Sequence, residues 1–301
     1  MSRGARARRP RKGAAAGARM SEARGVAAVR RAVAAWRRRR ETVAFVPTMG
    51  ALHDGHMSLV RRARAASDRV VVSIFVNPLQ FGPGEDYRRY PRPAAKDRAL
   101  LRAARVDLLW RPGTADLYPP GERTRVRVEG LDTMLEGASR PGHFTGVTTV
   151  VAKLLDAVAP DVLWLGQKDA QQARLIEQMV KDLLIPVRVR RAPTAREPDG
   201  LACSSRNTYL KPRERTQAAA LARGLARARA ALERGERDAA RLRQLVRRTW
   251  RAFPLVREDY VALVDAGTLQ PVRTVRGRVL LAVAARIGGT RLIDNLEWGP
   301  R

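Results

Sequence analysis

The chain has 301 residues and a mass of 33.4 kDa, 45% of its residues are hydrophobic, and its formal net charge is +30. That length suffices for two domains or one large one, and the apolar stretches are too short and too often broken by Arg or Asp to span a membrane. The single cysteine, Cys203, excludes an internal disulfide and suits a reducing, cytoplasmic compartment.

The charge points to nucleic acid only until its distribution is read. Residues 1–40 carry 14 Lys or Arg against one Glu, so +13 lies in a stretch that need not belong to the fold. The remaining +17 is spread over Ala/Arg-rich helices, as expected of solvated faces, and it favours anionic small substrates over a nucleic-acid partner. Residues 1–20 are almost wholly Arg, Ala, Gly, Lys and Pro and are expected to form a disordered basic tail. They lack the apolar run of a secretory signal; an Arg-rich transit peptide is the alternative, and Met20 is a second candidate start.

From Ser21 the spacing Val26, Val29, Val33, Trp36 predicts an amphipathic helix. Next come an apolar run, Val43–Val46, a turn with Pro47 and Gly50, and the helical spacing Met57, Leu59, Val60, Ala63. Strand, tight turn and helix bring a helix N-terminus to a sheet edge, where an anion can dock. His56 falls on the helix's first turn and His53 in the turn before it. Two imidazoles beside free amides suit the stabilisation of charge on a phosphate under attack. A zinc site would need a third ligand, and the chain has only three His and one Cys.

Arg69–Val76 reads as a strand buried on both faces, ending in Asn77-Pro-Leu-Gln80. A helix over Ala94–Ala104 and a strand over Asp107–Trp110 follow. The Gly-rich stretch Arg140–Val147 contains His143 and precedes a helical run over Val150–Val158. Asp161–Leu165 is the next strand, and Gly166-Gln-Lys-Asp-Ala-Gln-Gln172 opens a helix. Gly166 permits close approach, Lys168 can reach a phosphate, Asp169 can accept from ribose hydroxyls, and Gln172 lies one turn on. Ile185–Val189 is expected as a last core strand. Ser204-Ser205-Arg206 then joins hydroxyls and a guanidinium in one loop, which suits the β- and γ-phosphates of ATP. Two helices, Pro212–Arg234 and Asp238–Trp250, precede strands over Asp259–Val264, Val279–Ala285 and Thr290–Asn295. The expected fold is α/β: a Rossmann-like parallel sheet flanked by helices over 21–194, with a smaller C-terminal α+β lid domain over 195–301.

Pro47-Thr-Met-Gly-Ala-Leu-His-Asp-Gly-His56 resembles the signature of the pantothenate synthetase (pantoate–β-alanine ligase) family, within the nucleotidyltransferase and class I aminoacyl-tRNA synthetase-like superfamily. Asn77–Gly82 with Glu85-Asp86-Tyr87 and Tyr90-Pro91-Arg92, the Leu135–Val147 stretch, Gly166–Gln172 and Arg196–Leu210 resemble it too, in family order over about residues 21–297. The resemblance implies an ATP-dependent ligase of pantoate and β-alanine acting through a pantoyl adenylate, with Mg2+, as a homodimer. It implies catalytic roles for His53, His56, Lys168, Ser204, Ser205 and Arg206. It places Met49, Gly50, Gly166, Lys168, Asp169 and Cys203, with Ser204, Ser205 and Arg206, on ATP. Gln80 and Gln172 match the pantoate side, Asn77 and Tyr90 the β-alanine side. Cys203 stands where the family has Met, and Lys96 where an acid is usual beside Asp97, the magnesium candidate. A dinucleotide-forming nucleotidyltransferase would use the same two signatures but leave Asn77, Gln80 and the paired glutamines without a task. A nucleic-acid-binding protein would explain the charge and none of the motifs.

Overall fold

The computed structural model describes residues 19–300, so the expected tail lies outside them except for Arg19 and Met20. The elements run β1 (Ser21–Ala23), α1 (Val26–Arg38), β2 (Val43–Thr48), α2 (Asp54–Ala66), β3 (Arg69–Ile74), α3 (Ala94–Ala103) and β4 (Leu108–Trp110). The single turns α4 (Thr114–Leu117) and α5 (Glu136–Ser139) lead to α6 (His143–Val158), β5 (Val162–Gly166), α7 (Ala170–Asp182) and β6 (Arg188–Ala192). After α8 (Pro212–Ala218), α9 (Ala220–Glu233) and α10 (Ala239–Trp250) come β7 (Val256–Asp265), β8 (Val279–Ile287) and β9 (Thr290–Trp298).

The first six strands form one parallel sheet in the order β1-β4-β3-β2-β5-β6. Successive residues of its central strands feed opposite cores, which is why these strands read as unbroken apolar runs. Phe45, Val71, Leu108 and Leu163 pack under α1, α6 and α7. Ala44, Val46, Val70, Val72 and Leu109 pack under α2 and α3. Strand order reverses between β2 and β5, so a crevice opens at the C-terminal ends of these two strands, the place where such sheets bind ligands.

The last three strands form a separate antiparallel sheet, β7-β8-β9. One face carries α9 and α10 through Leu221, Leu225, Leu242, Val246 and Trp250. The other, through Val264, Leu280 and Ala282, meets Ala170 at the start of α7 and the Leu131–Leu135 loop. The small sheet therefore roofs the crevice of the large one. Among the described residues no helix is long and apolar enough to cross a membrane.

Several boundaries differ from those expected. The segment at Ser21 is a strand, not the start of the helix, because it gains edge pairing with Leu108–Trp110. The strand expected over Ile185–Val189 runs Arg188–Ala192, an Arg-rich edge strand with alternating exposure that hides its apolar pattern. Helix α6 begins at His143, seven residues before the expected Val150, and the expected Pro212–Arg234 helix is two, broken at Ala219.

Candidate active site

The chain leaves β2 through a tight turn. Gly50 has φ +84°, and a Cβ there would lie 2.9 Å from Ile74 and 3.1 Å from Asp97. Buried Asp97 accepts from the amides of Ala51 (2.9 Å) and Leu52 (2.8 Å), one on each oxygen. It fixes the turn, spending one acceptor position of each oxygen on a backbone amide. Thr48 ties the other side, donating to the Ser73 carbonyl and accepting from the Gly50 amide.

His53 is the N-cap of α2 and His56 its third residue. His53 Nδ1 accepts from the Gly55 amide at 3.1 Å, His56 Nδ1 accepts from the His53 amide at 3.4 Å, and the ring centroids lie 4.1 Å apart. A Cβ on Gly55 would come within 2.8 Å of the His53 ring. Burial, reinforced by Lys168, lowers His53 to a pKa of about 4; burial, reinforced by His53, lowers His56 to about 3. Both rings are thus neutral at pH 7, with Nδ1 accepting and the proton on Nε2. They present uncharged donors at a helix N-terminus, a position suited to an anion.

Across the crevice, Gly166 ends β5 and a 3-10 turn, Gln167–Asp169, presents Lys168 and Asp169. The helix expected to open here starts only at Ala170. Lys168 Nζ lies 3.4 Å from Asp169 Oδ1, a looser pairing than those of Arg206 and Arg140 nearby. Arg206 is held in a fork by Asp86 at 2.9 Å on both arms, and Arg140 by Glu85. Lys168 is therefore less tightly paired than Arg206 and Arg140 on the same cleft. Ser204 caps the short turn Ser205–Tyr209 by accepting from the Arg206 amide, and Ser205 Oγ lies 3.0 Å from the Tyr90 hydroxyl. Cys203 is buried beside Gly55, its amide donating to the Ala195 carbonyl, and burial pushes its thiol pKa up.

These groups line one cleft of about 420 Å³ together with Met49, Gln80, Gln172, Tyr90 and Asn77. Gly50 and Asp97 lie instead on a neighbouring cavity, behind the Met49–Gly50 turn. Gln172 is half-buried on the cleft wall, whereas its neighbour Gln171 is buried and braces Leu131, Met134 and Glu136. Asn77 is 1% exposed and has all four hydrogen-bond positions filled from within the protein. His143 bridges Arg140 and the Gln80 carbonyl (2.7 Å), and burial lowers its pKa to about 4.

Several contributors were not singled out from sequence. Arg291 of β9 pairs with buried Glu136 on both oxygens, 2.6 and 2.8 Å, and Tyr260 of β7 donates to the same carboxylate at 2.8 Å. Asn295 of β9 donates to the carbonyls of Gln167 and Lys168, holding the Lys168 turn from the small sheet. No local signal marks these residues, since each acts more than 120 positions away in sequence.

The sequence model of the family described as pantoate-beta-alanine ligase matches residues 22–297. Pantothenate synthetase of Heliobacterium modesticaldum is 56% identical over 270 residues, 88% of this chain and 96% of that protein. The Moorella thermoacetica pantothenate synthetase is 52% identical, covering 90% of this chain and 96% of its own. Among solved structures, pantothenate synthetase from Thermus thermophilus superposes with a TM-score of 0.89 at 49% identity, over 93% of this chain and all of that one. The Francisella tularensis pantoate-beta-alanine ligase, complexed with beta-gamma ATP and beta-alanine, gives 0.75 at 35% identity, over 92% of this chain and 97% of that one.

Proposed function

The chain belongs to the pantoate-beta-alanine ligase family, and on that premise we propose that it couples ATP to the joining of pantoate and β-alanine through a pantoyl-adenylate intermediate. A pantoate carboxylate oxygen attacks the α-phosphorus of ATP, the bond to the β-phosphate oxygen breaks, and pyrophosphate leaves. The β-alanine amine then attacks the acyl carbon, loses a proton, and displaces AMP.

The observation that carries this reading is the convergence of His53, His56 and Lys168 on the switch point between β2 and β5. Neutral imidazoles with Nε2–H free can stabilise the equatorial oxygens of the α-phosphate without repelling Lys168, and no covalent nucleophile is needed. Ser204, Ser205 and Arg206 are proposed to hold the leaving pyrophosphate, and Gly166 and Asp169 the ribose. Met49 and Cys203 flank the nucleotide, with Gly50 shaping the turn beside it. Gln80 and Gln172 are assigned to pantoate, and Tyr90, beside Ser205, to the β-alanine side. Positioning and electrostatics supply most of the rate in such a site.

Magnesium is proposed to enter on the ATP phosphates, where one or two carboxylates suffice. Among the described residues no three His, Cys, Asp or Glu side chains form a resident metal site. We also propose that it works in the cytoplasm, a reducing compartment that suits the free thiol of Cys203, and that it is a homodimer. The decisive experiment is pyrophosphate–ATP exchange with pantoate present and β-alanine absent. Exchange under these conditions supports the adenylate. Exchange that appears only with β-alanine replaces it with a concerted reaction, and exchange without pantoate overturns the substrate.

A further inference from the structure

We propose that Tyr118 is a positioning residue for the carboxylate substrate: through Asn77 it fixes which end of the Gln80 carboxamide faces the cleft. The inference rests on the assignment of Gln80 to pantoate made above.

Tyr118 follows α4 and lies behind Asn77, outside the cleft wall. Its hydroxyl donates to Asn77 Oδ1 at 2.8 Å, and the same oxygen accepts from the Leu79 amide at 3.3 Å. Asn77 Nδ2 donates to the Gly146 carbonyl and to Gln80 Oε1, both at 3.1 Å. A carboxamide has two donor and two acceptor positions, and here all four are used by a buried side chain. Turning Asn77 over would set its amino group against the Leu79 N–H and its oxygen against the Gly146 carbonyl, and would force the Tyr118 hydroxyl to turn from donor to acceptor, so the observed orientation is favoured. Burial raises the Tyr118 pKa, so the hydroxyl keeps the proton it donates.

The consequence passes to Gln80. With Oε1 held by Asn77, only Nε2 is left for the cleft. Its one contact there is the Met49 thioether at 3.1 Å, a weak acceptor that an oxygen can displace. Gln80 therefore presents N–H donors alone and selects a substrate group that accepts, such as a carboxylate or an ether-like oxygen. Close packing supports this arrangement. A Cβ on Gly146 would overlap the Leu79 carbonyl and lie 2.8 Å from the Gln80 backbone nitrogen, so α6 presses directly on the turn that carries Gln80.

The test is a double-mutant cycle of Tyr118→Phe with Gln80→Ala, reading KM for pantoate, KM for ATP, kcat and the thermal midpoint. Phe keeps the ring that packs 6.2 Å from Phe75 and removes only the donor. Loss of one such hydrogen bond is expected to raise the pantoate KM about 3- to 10-fold in the otherwise native protein, with the ATP KM unchanged. In the Gln80→Ala background the same change should do nothing, an interaction that a merely structural role would not produce. An equal increase in both backgrounds, or none in the native one, overturns the relay while leaving the function intact. A native pantoate KM in Gln80→Ala itself overturns the assignment of Gln80 to pantoate.

Discussion

Lowering the pH from 7 to 5 should destabilise this protein mainly through its histidines. His53, His56 and His143 are held at about 4, 3 and 4, against an ordinary value of 6.5. Folded imidazoles thus stay neutral in this window while unfolded ones take up protons, so the unfolded state binds more protons and stability falls as pH falls. The contribution is complete above pH 6.5 and is lost on descending from there towards pH 4. Each histidine loses about 1.36 kcal/mol per pH unit below 6.5, so about 2 kcal/mol by pH 5, and the three together roughly 6 kcal/mol. Paired carboxylates add little there, because an unfolded carboxylate such as that of Glu41 takes up protons mostly below its ordinary value of 4.5, and its contribution is lost only from there down to the folded value of about 2. Urea unfolding at pH 7 and pH 5 measures the drop, and His53→Gln should shrink it by about 2 kcal/mol. Proton NMR of the imidazole rings gives the native values directly. A ring titrating near 6.5 in the folded protein, or an undiminished drop in His53→Gln, would refute the neutral-donor account of the site.

Three further outcomes are expected. His56→Ala and Lys168→Ala should each lower pantoate-dependent pyrophosphate exchange by roughly 10²-fold in a protein that still folds, His56→Ala losing about 1 kcal/mol with its bond to the His53 amide; near-native exchange in a folded His56→Ala protein removes that residue from the chemistry. Gly146→Ala should destabilise the protein by about 1–3 kcal/mol in denaturant titration, since its methyl would strike the Leu79 carbonyl. Glu136→Ala should cost about 2 kcal/mol, because it leaves the Tyr260 hydroxyl without its acceptor and Arg291 with Asp259 as its remaining carboxylate, and a loss under about 0.5 kcal/mol would show that the cluster adds nothing to the fold.

The sequence alone determined the local elements whose physics is local. The Val43–Val46 run, the Gly50 turn and the helix behind it could be read because a buried parallel strand, a positive-φ glycine and a helix N-terminus each leave a mark within a few residues. The spacing of His53 and His56 likewise implied that both rings meet at one helix end, as they do at 4.1 Å. What the sequence could not decide was protonation, availability and long-range partnership. Whether the imidazoles are charged depends on burial under Lys168 and the surrounding sheet. The same holds for Asp97, whose carboxylate is engaged by Ala51 and Leu52, more than forty positions away in the chain. Gln171 and Gln172 are alike in sequence, and only packing buries one to brace a loop and leaves the other half-buried on the cleft wall. Arg291 and Asn295 reach the site because the small sheet folds back over β5. A side chain's chemistry is intrinsic, but its dielectric surroundings and its hydrogen-bond partners are properties of the assembled chain.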